Sequence, residues 1–387
     1  MDRRRVSLRA ARSALLRWYR ANRRDLPWRR TRDPYAIWVS EAMLQQTQVS
    51  TVVPYYGRFL AAFPGVAELA DAPEEAILAA WSGLGYYRRA LALKAGAQAV
   101  VARHGGRVPS DPADLLALPG IGPYTAGAIA SIAFGRPEPA LDGNVRRVLS
   151  RLLARRGRGA TDERELLRTA RELVRGRDPG DLNQSLMELG ALVCTPRAPG
   201  CGACPVNRSC RGRASGHPER YPAPRRVPRA VPVRVAVALV RRRGKILLAR
   251  RDGVTPFRGE WDLPAAEVQD GADPAGLLRT LLGRLGIAAR IGDEMARARH
   301  TILNRALRIE VFAGRVHGGA APVAGESRWV RPEDLGAVAI SGATRKILEA
   351  AAPAPDSQNR SHGGTQPRSR PSRRSAAGSG SSGRSKR

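Results

Sequence analysis

Two changes of periodicity predict a multidomain fold: an all-α lobe, then an α+β domain, then a tail with no fold of its own. From the start to about Gly212, apolar residues recur at helical spacing in Ala/Leu runs interrupted by Pro and Gly. From Val233 the pattern alternates with period two to Val240, turns at Arg243-Gly244 and resumes over Lys245 to Arg250, as half-buried strands require. After Ala351 the chain is Ser, Gly, Pro and Arg, with eight basic residues, one acid (Asp356) and no large apolar side chain, too little to build a core. The expected division is 1–212, a Pro/Arg-rich linker at 213–232, a second domain at 233–350 and a disordered basic tail at 351–387.

Sixty-six basic against thirty-four acidic residues leave a formal charge of +32 on 387 residues, the electrostatic footprint of a protein that works on phosphate backbones. Only Lys94, Lys245, Lys346 and Lys386 are lysines, so part of the arginine excess reflects codon usage, but codon usage does not explain the shortage of acids. Apolar runs such as Ala126 to Phe134 are far shorter than the about 18 residues of a membrane span, which points to a soluble protein. Arg3 to Arg24 carries Val6, Leu8, Leu15, Leu16, Trp18 and Tyr19 among arginines, an amphipathic helix rather than a leader with an apolar core.

The only four cysteines, Cys194, Cys201, Cys204 and Cys210, fall within seventeen residues in the spacing C-x6-C-x2-C-x5-C. Two disulfides packed into so short a segment would restrain little chain, so the cluster reads as one metal centre. Tetrahedral zinc usually takes two close Cys pairs; a single C-x2-C flanked by gaps of six and five favours an iron–sulfur cluster, with zinc the alternative.

Between Pro112–Leu116 and the helical run Tyr124–Phe134 lies Leu118-Pro119-Gly120-Ile121-Gly122, which reads as the turn of a helix-hairpin-helix. Gly120 and Gly122 let the backbone approach a ligand closely, and the following helix N-terminus offers free N–H groups to a DNA phosphate. Leu141-Asp142-Gly143-Asn144-Val145-Arg146-Arg147 follows about twenty residues later, and then the cysteine loop.

With these motifs, and with Leu26-Pro27-Trp28-Arg29, Ser40 to Val49 (SEAMLQQTQV), Gly83-Leu84-Gly85-Tyr86-Tyr87 and Asn183-Gln184 ahead of Glu188-Leu189-Gly190, the chain resembles the adenine DNA glycosylase branch of the helix-hairpin-helix, endonuclease III superfamily. The likeness runs from about Leu26 to Cys210 and, more weakly, to about Leu348. It implies two helical subdomains with a cleft between them and one [4Fe–4S] cluster on the four cysteines. It also implies a monomer, cytoplasmic and nucleoid-associated, acting on double-stranded DNA that contains adenine opposite 8-oxoguanine or guanine.

Cleaving an adenine N-glycosidic bond needs a proton for a poor leaving base and stabilisation of a cationic sugar, hence two carboxyl groups in different environments. Glu41 follows the β-favouring residues Tyr35, Ile37, Trp38 and Val39 and precedes Ala42, Met43 and Leu44. Apolar surroundings of this kind raise a carboxyl above its free value of about 4.3 and make a general acid; the resemblance gives it adenine N7 as target. Asp142, beside Gly143 near the candidate phosphate site, is expected to stay ionised and to stabilise or capture the sugar cation. Tyr124 occupies the position where relatives that also cut the backbone carry a Schiff-base lysine, so a monofunctional enzyme is implied. Tyr124 and Asn144 are expected to position Asp142 and the sugar. Gln46 and Tyr86 match the wedge that opens the base pair, and Trp28, Arg29, Leu44 and Gln184 match the adenine pocket. Arg197, Arg208, Arg211 and Arg213 on the cysteine loop suit phosphate contact. A pyrimidine glycosylase/lyase of endonuclease III type, or a non-catalytic mismatch-binding protein, are the alternatives.

The second domain resembles the Nudix-like C-terminal domain of the same branch, most clearly at Gly259-Glu260-Trp261-Asp262-Leu263-Pro264. Thr280, Gly283 and Arg284 stand where a Nudix hydrolase carries its metal-binding glutamates, so nucleotide hydrolysis is not expected. The domain should read the lesion opposite adenine through His300, Thr301, Leu303 and Asn304. Ile302-Leu303-Asn304 departs from the Phe-Ser-His that relatives often carry there, which weakens the expected discrimination of 8-oxoguanine from guanine.

Overall fold

The computed structural model describes residues 7–351 except 157–158, 225–229, 251–260, 303, 321 and 339. The expected basic tail, Gly259-Glu260 and Leu303 therefore lie outside the described residues. The first part is helical throughout: α1 (Leu8–Asn22), α2 (Pro34–Leu44), α3 (Val49–Ala62), α4 (Val66–Asp71), α5 (Glu74–Ala80), α6 (Arg88–His104), α7 (Pro112–Leu116), α8 (Pro123–Ile132), α9 (Gly143–Leu153), α10 (Ala160–Val174), α11 (Pro179–Leu192) and the single turn α12 (Arg211–Ala214). No described helix is long and apolar enough to cross a membrane.

These helices build two cores. One gathers α2 to α8 around Trp38, Phe59, Trp81 and Ile129; the other gathers α1, α9, α10 and α11 around Leu15, Leu149, Leu173 and Leu186, and Met187 packs against both. The two helical subdomains that the resemblance implies correspond to these two cores. Helix α2 shows why β-favouring residues need not make a strand. Asp33 caps its N-terminus, accepting from the backbone N–H groups of Tyr35 (3.2 Å) and Ala36 (3.1 Å), and Pro34 fills the first position. Every residue from Tyr35 to Met43 is buried, so packing on all sides outweighs the propensities of Ile37, Trp38 and Val39.

The hairpin between α7 and α8 depends on close approach. Gly120 has φ +77°, and a Cβ there would sit 2.7 Å from the Ala92 Cβ on α6. Gly127 in α8 presses its bare face against the segment leading to α9: an added Cβ would lie 2.1 Å from the Pro139 carbonyl oxygen. That segment is held further by Asn183 of α11, whose amide donates to Glu138 O and Ser131 Oγ (both 2.8 Å) while its oxygen accepts from Ala140 N–H.

The second part is a mixed sheet with helices: β1 (Val231–Arg242), β2 (Lys245–Arg250), β3 (Trp261–Asp262), β4 (Ala265–Val268), α13 (Pro274–Arg284), β5 (Ile287–Ile302), β6 (Arg305–Ala320), β7 (Ser327–Val330) and α14 (Gly342–Ala350). The order is β3-β2-β1-β6-β5, with β4 also on β1 and β7 also on β2; β1 and β6 run parallel and the other pairs antiparallel. The β1–β2 turn is where the sequence puts it, with positive φ at both Arg243 (+48°) and Gly244 (+74°), as a tight right-twisted hairpin demands. Leu278 and Leu282 of α13 are buried on the sheet, while Thr280, Gly283 and Arg284 on the same helix are exposed. The strand begins at Val231, two residues earlier than the expected boundary, because Val231 N–H is already paired to Asn304 O (2.7 Å).

The two parts meet at residues 82–87 and 338–345. Ser82 Oγ donates to Val338 O (3.1 Å), Tyr87 hydroxyl donates to Ile340 O (2.9 Å), and Arg345 donates to Ser82 Oγ (3.3 Å). The Gly127 contact is with backbone, which cannot swing aside as a side chain can. Gly127→Ala is therefore expected to destabilise the helical lobe by about 1–3 kcal/mol, read by thermal or urea melting; an unchanged midpoint would contradict the packing described.

Candidate active site

A cleft of about 560 Å³ opens between the two helical cores, and most of the residues singled out from sequence line it: Trp28, Arg29, Glu41, Leu44, Gln46, Tyr124, Asp142, Asn144 and Gln184. Its volume lies within the range of roughly 300–1,000 Å³ usual for small-molecule sites. Glu41 and Tyr124 come from α2 and α8 of the first core; Asp142 and Asn144 stand at the start of α9 in the second.

Glu41 is 5% exposed, and burial pushes its carboxyl up to about 7. The Tyr124 hydroxyl donates to its Oε2 at 2.5 Å, which opposes that rise, and the nearby Asp142 charge adds to it. Burial and the facing carboxylates raise the Tyr124 phenol well above its ordinary value, so it remains a donor. The Tyr124 hydroxyl thus bonds to Glu41 rather than to Asp142, whose charge nevertheless lies close enough to raise the phenol. The reason is direction: α8 packs on α2, so a side chain in its first turn reaches the α2 carboxyl before the α9 N-terminus.

Asp142 is the N-cap of α9. Its Oδ1 accepts from Val145 N–H (2.6 Å) and its Oδ2 from the Asn144 amide (2.9 Å). Burial raises its carboxyl, against the lowering effect of these donors and of Arg147. Asn144 Oδ1 accepts from Arg147 (2.8 Å), which also donates to Gly190 O and to Cys194 O, both at 2.8 Å. Gly190 permits this, since a Cβ there would stand 2.6 Å from the Asn144 Cβ.

Among the pocket residues, Trp28 is buried edge-on against Tyr56, with ring centroids 5.4 Å apart, and Leu44 is half-buried beside it in the wall. Arg29 is not free to read a base with its full fork. Two of its nitrogens grip Glu188 (2.8 and 2.9 Å), and Arg24 grips the same carboxylate at 2.7 and 2.9 Å. Despite burial, this pairing holds Glu188 down at about 2. In the sequence Glu188 stands out only as part of the motif Glu188-Leu189-Gly190; its spacing of one helical turn from Gln184 is the signal that marks it.

Tyr86 does not line the cleft. It stands 49% exposed on the loop before α6, while Gln46 reaches the cleft wall from the loop after α2. Of the residues assigned to lesion reading, His300 and Thr301 lie in β5, Asn304 sits exposed in the turn before β6, and Leu303 is outside the described residues. Gly120 and Gly122 lie in the α7–α8 turn as expected, with open space where a Gly122 side chain would stand.

The four cysteines line one small cavity with Arg151, Val193, Pro199, Asn207, Arg213 and Pro218. Arg151, 2% exposed, donates to Cys194 Sγ (3.3 Å) and to the carbonyls of Thr195 (2.6 Å) and Pro196 (2.9 Å). Among the described residues no three Cys, His, Asp or Glu side chains converge closely enough for a single ion. Arg197, Arg208 and Arg213 are exposed around the loop.

The Glu41 carboxyl is neutral in the folded chain up to about pH 7 but ionises near its ordinary value when unfolded. The unfolded chain then binds fewer protons, so this group contributes stability that is fully present below the ordinary carboxyl range and lost as pH rises to about 7. Glu41→Gln is accordingly expected to match wild type near pH 4 and to be more stable by about 3 kcal/mol above pH 7, at 1.36 kcal/mol per pH unit. Chemical denaturation across that range checks this, and equal stabilities at high pH would contradict it.

Residues 39–175 match the model of the HhH-GPD superfamily of base excision DNA repair proteins, and residues 235–350 match a NUDIX domain. An adenine DNA glycosylase of Homo sapiens is 48% identical over 218 residues, covering 53% of this chain and 39% of the human protein. One of Mycolicibacterium smegmatis is 42% identical over 243 residues, covering 62% of this chain and 80% of that protein. A solved thermostable thymine-DNA glycosylase shares the fold of the helical lobe, with TM-score 0.50 and 32% identity over 54% of this chain and 97% of that one. The match spans about two fifths of the human relative's length. The chain belongs to the adenine DNA glycosylase family, a helix-hairpin-helix lobe joined to a Nudix-like domain.

Proposed function

We propose that the chain is a monofunctional DNA glycosylase that flips adenine out of mispairs with 8-oxoguanine or guanine and hydrolyses its N-glycosidic bond. The observation that carries this reading is the carboxyl pair: Glu41, desolvated and raised to about 7, facing an Asp142 held by a backbone amide and Asn144 in one cleft. A carboxylic acid that still holds its proton near neutral pH can give it to the leaving base, with Tyr124 orienting the donor oxygen. Asp142 is the group placed to meet the positive charge that develops on the sugar. Trp28 and Leu44 would face the flipped adenine, and Gln184 and Arg29 its polar edge. Glu188 orients Arg29.

A monofunctional glycosylase is favoured over a Schiff-base lyase. The one lysine of residues 1–212, Lys94, lies on α6, and its amine donates to Ala70 O (3.1 Å) and Ala72 O (2.5 Å), away from the cleft. Double-stranded DNA would be gripped by the α7–α8 turn and the arginines of the cysteine loop, and opened by Gln46 and Tyr86. The base opposite adenine would be read by His300, Thr301, Leu303 and Asn304, of which His300, Thr301 and Asn304 lie at the β5–β6 tip.

Support for a [4Fe–4S] cluster comes from the four cysteines that line one cavity, with the Arg151 guanidinium on Cys194 Sγ to offset thiolate charge. Cys194, Cys201, Cys204 and Cys210 would hold it, and its contribution is to brace the loop, since base hydrolysis transfers no electrons.

Single-turnover assays on duplexes with adenine opposite 8-oxoguanine, guanine or thymine should show release fastest opposite 8-oxoguanine and none with Glu41→Gln. Equal rates opposite 8-oxoguanine and guanine would remove the lesion reader, and a covalent adduct trapped by borohydride would sink the monofunctional assignment. Iron and acid-labile sulfide should be present in equal amounts and fall together in Cys201→Ala, with loss of thermal stability; zinc in their place would overturn the cluster assignment.

A further inference from the structure

Gln46 and Tyr86 sit on different loops, yet both adopt a backbone that L side chains take only where the surroundings impose it, with φ of +58° and +52°. One side chain touches both loops. Arg89, in the first turn of α6, donates from one terminal nitrogen to Ala42 O (2.9 Å), Met43 O (2.8 Å) and Gln45 O, the open end of α2. Its other terminal nitrogen donates to Leu84 O (3.3 Å), Gly85 O (2.9 Å) and Thr47 Oγ1 (3.1 Å). Its guanidinium carbon lies 5.4 Å from the Trp81 ring centroid and 5.5 Å from that of Tyr86, so the wedge tyrosine stacks on the group that holds its loop.

The carbonyls at the end of α2 have no intrahelical donors, and a planar cation there satisfies several at once while complementing the negative end of the helix dipole. Burial lowers this guanidinium to about 10, which leaves it charged at neutral pH. Arg89 does not line the cleft of Glu41 and Asp142. It touches neither the reacting bond nor the residues assigned to proton transfer, and its neighbour Arg88 points to solvent.

We propose that Arg89 is a positioning residue for base-pair opening: by holding the backbone of both loops on one rigid fork, it sets the separation and direction of Gln46 and Tyr86. The proposal deepens the glycosylase reading and rests on its assignment of those two residues as the wedge. Lysine cannot substitute, because one ammonium lacks two divergent nitrogens to span both loops.

The test uses the full chain with Arg89→Lys and Arg89→Gln, after melting curves establish that each folds. First, 2-aminopurine replaces the target adenine opposite guanine, in a Glu41→Gln background so that base release does not consume the signal. Wild-type Arg89 should give a fluorescence rise on binding, and both variants should lose most of it. Second, in the Glu41 protein, adenine release from an adenine:guanine duplex should slow about tenfold or more, the rate equivalent of about 1.4 kcal/mol. Release from a duplex with an abasic analogue opposite the adenine, where no pair has to be opened, should change by less than about threefold. Equal slowing on both substrates, an undiminished fluorescence rise, or full rescue by Arg89→Lys would each overturn the proposal. Fluorescence that responds to Arg89 in a protein releasing no adenine would instead overturn the excision reading and leave the role of Arg89 standing.

Discussion

The seam between the two helical cores obliges the chain to bury carboxyl groups. Glu41 enters it from a helix enclosed on every side, Asp142 from the first residue before α9, and Glu188 from α11. A charge in such a place must be neutralised, paired or amply hydrogen-bonded, and each of the three meets that demand differently. Glu41 has a phenol donor and stays protonated to about 7, Asp142 takes a backbone amide and Asn144, and Glu188 takes two arginine forks and falls to about 2. One cleft thereby holds a carboxyl kept protonated to about 7 and a carboxylate held ionised by arginines, together with Asp142, whose donors counter the rise that burial imposes.

Much of the surrounding structure exists to keep these groups in place. Asn144 holds Asp142, Arg147 holds Asn144, and Arg147 also donates to Cys194 O, so three hydrogen bonds run from the carboxylate to the cysteine loop. One turn along α9, Arg151 fixes the same loop through Cys194 Sγ and the Thr195 and Pro196 carbonyls. Arginines three or four residues apart lie on one helix face, which is why α9 can serve the cleft at its N-terminus and the loop along its side. The loop and the Asp142 anchor therefore share supports, and displacement of either strains the other.

The helical lobe was legible because its signals are local: apolar residues at helical spacing broken by Pro and Gly, glycines at the hairpin, and four cysteines in one segment. Glu41 and Asp142 could be named because each stands within a motif whose chemistry demands a carboxyl. What sequence did not reveal were the partners chosen by packing. The turn of Tyr124 toward Glu41, the engagement of Arg29 by Glu188 and the reach of Arg89 across two loops all join residues far apart in the chain. The β-favouring run before Glu41 likewise reads as helical only once its burial on all faces is known.

The Nudix-like domain first holds its own sheet together: Leu278 and Leu282 of helix α13 are buried on it, while Thr280, Gly283 and Arg284 are exposed. Its second effect is on the helical lobe. The segment from Val338 to Arg345 bonds to Ser82 and Tyr87, which flank Tyr86 on either side. The loop that carries an exposed aromatic in a left-handed conformation is thus tied down by Arg89 from within its own lobe and by the neighbouring domain from outside. A strained conformation persists only where its surroundings over-determine it, and here the surroundings come from both halves of the chain.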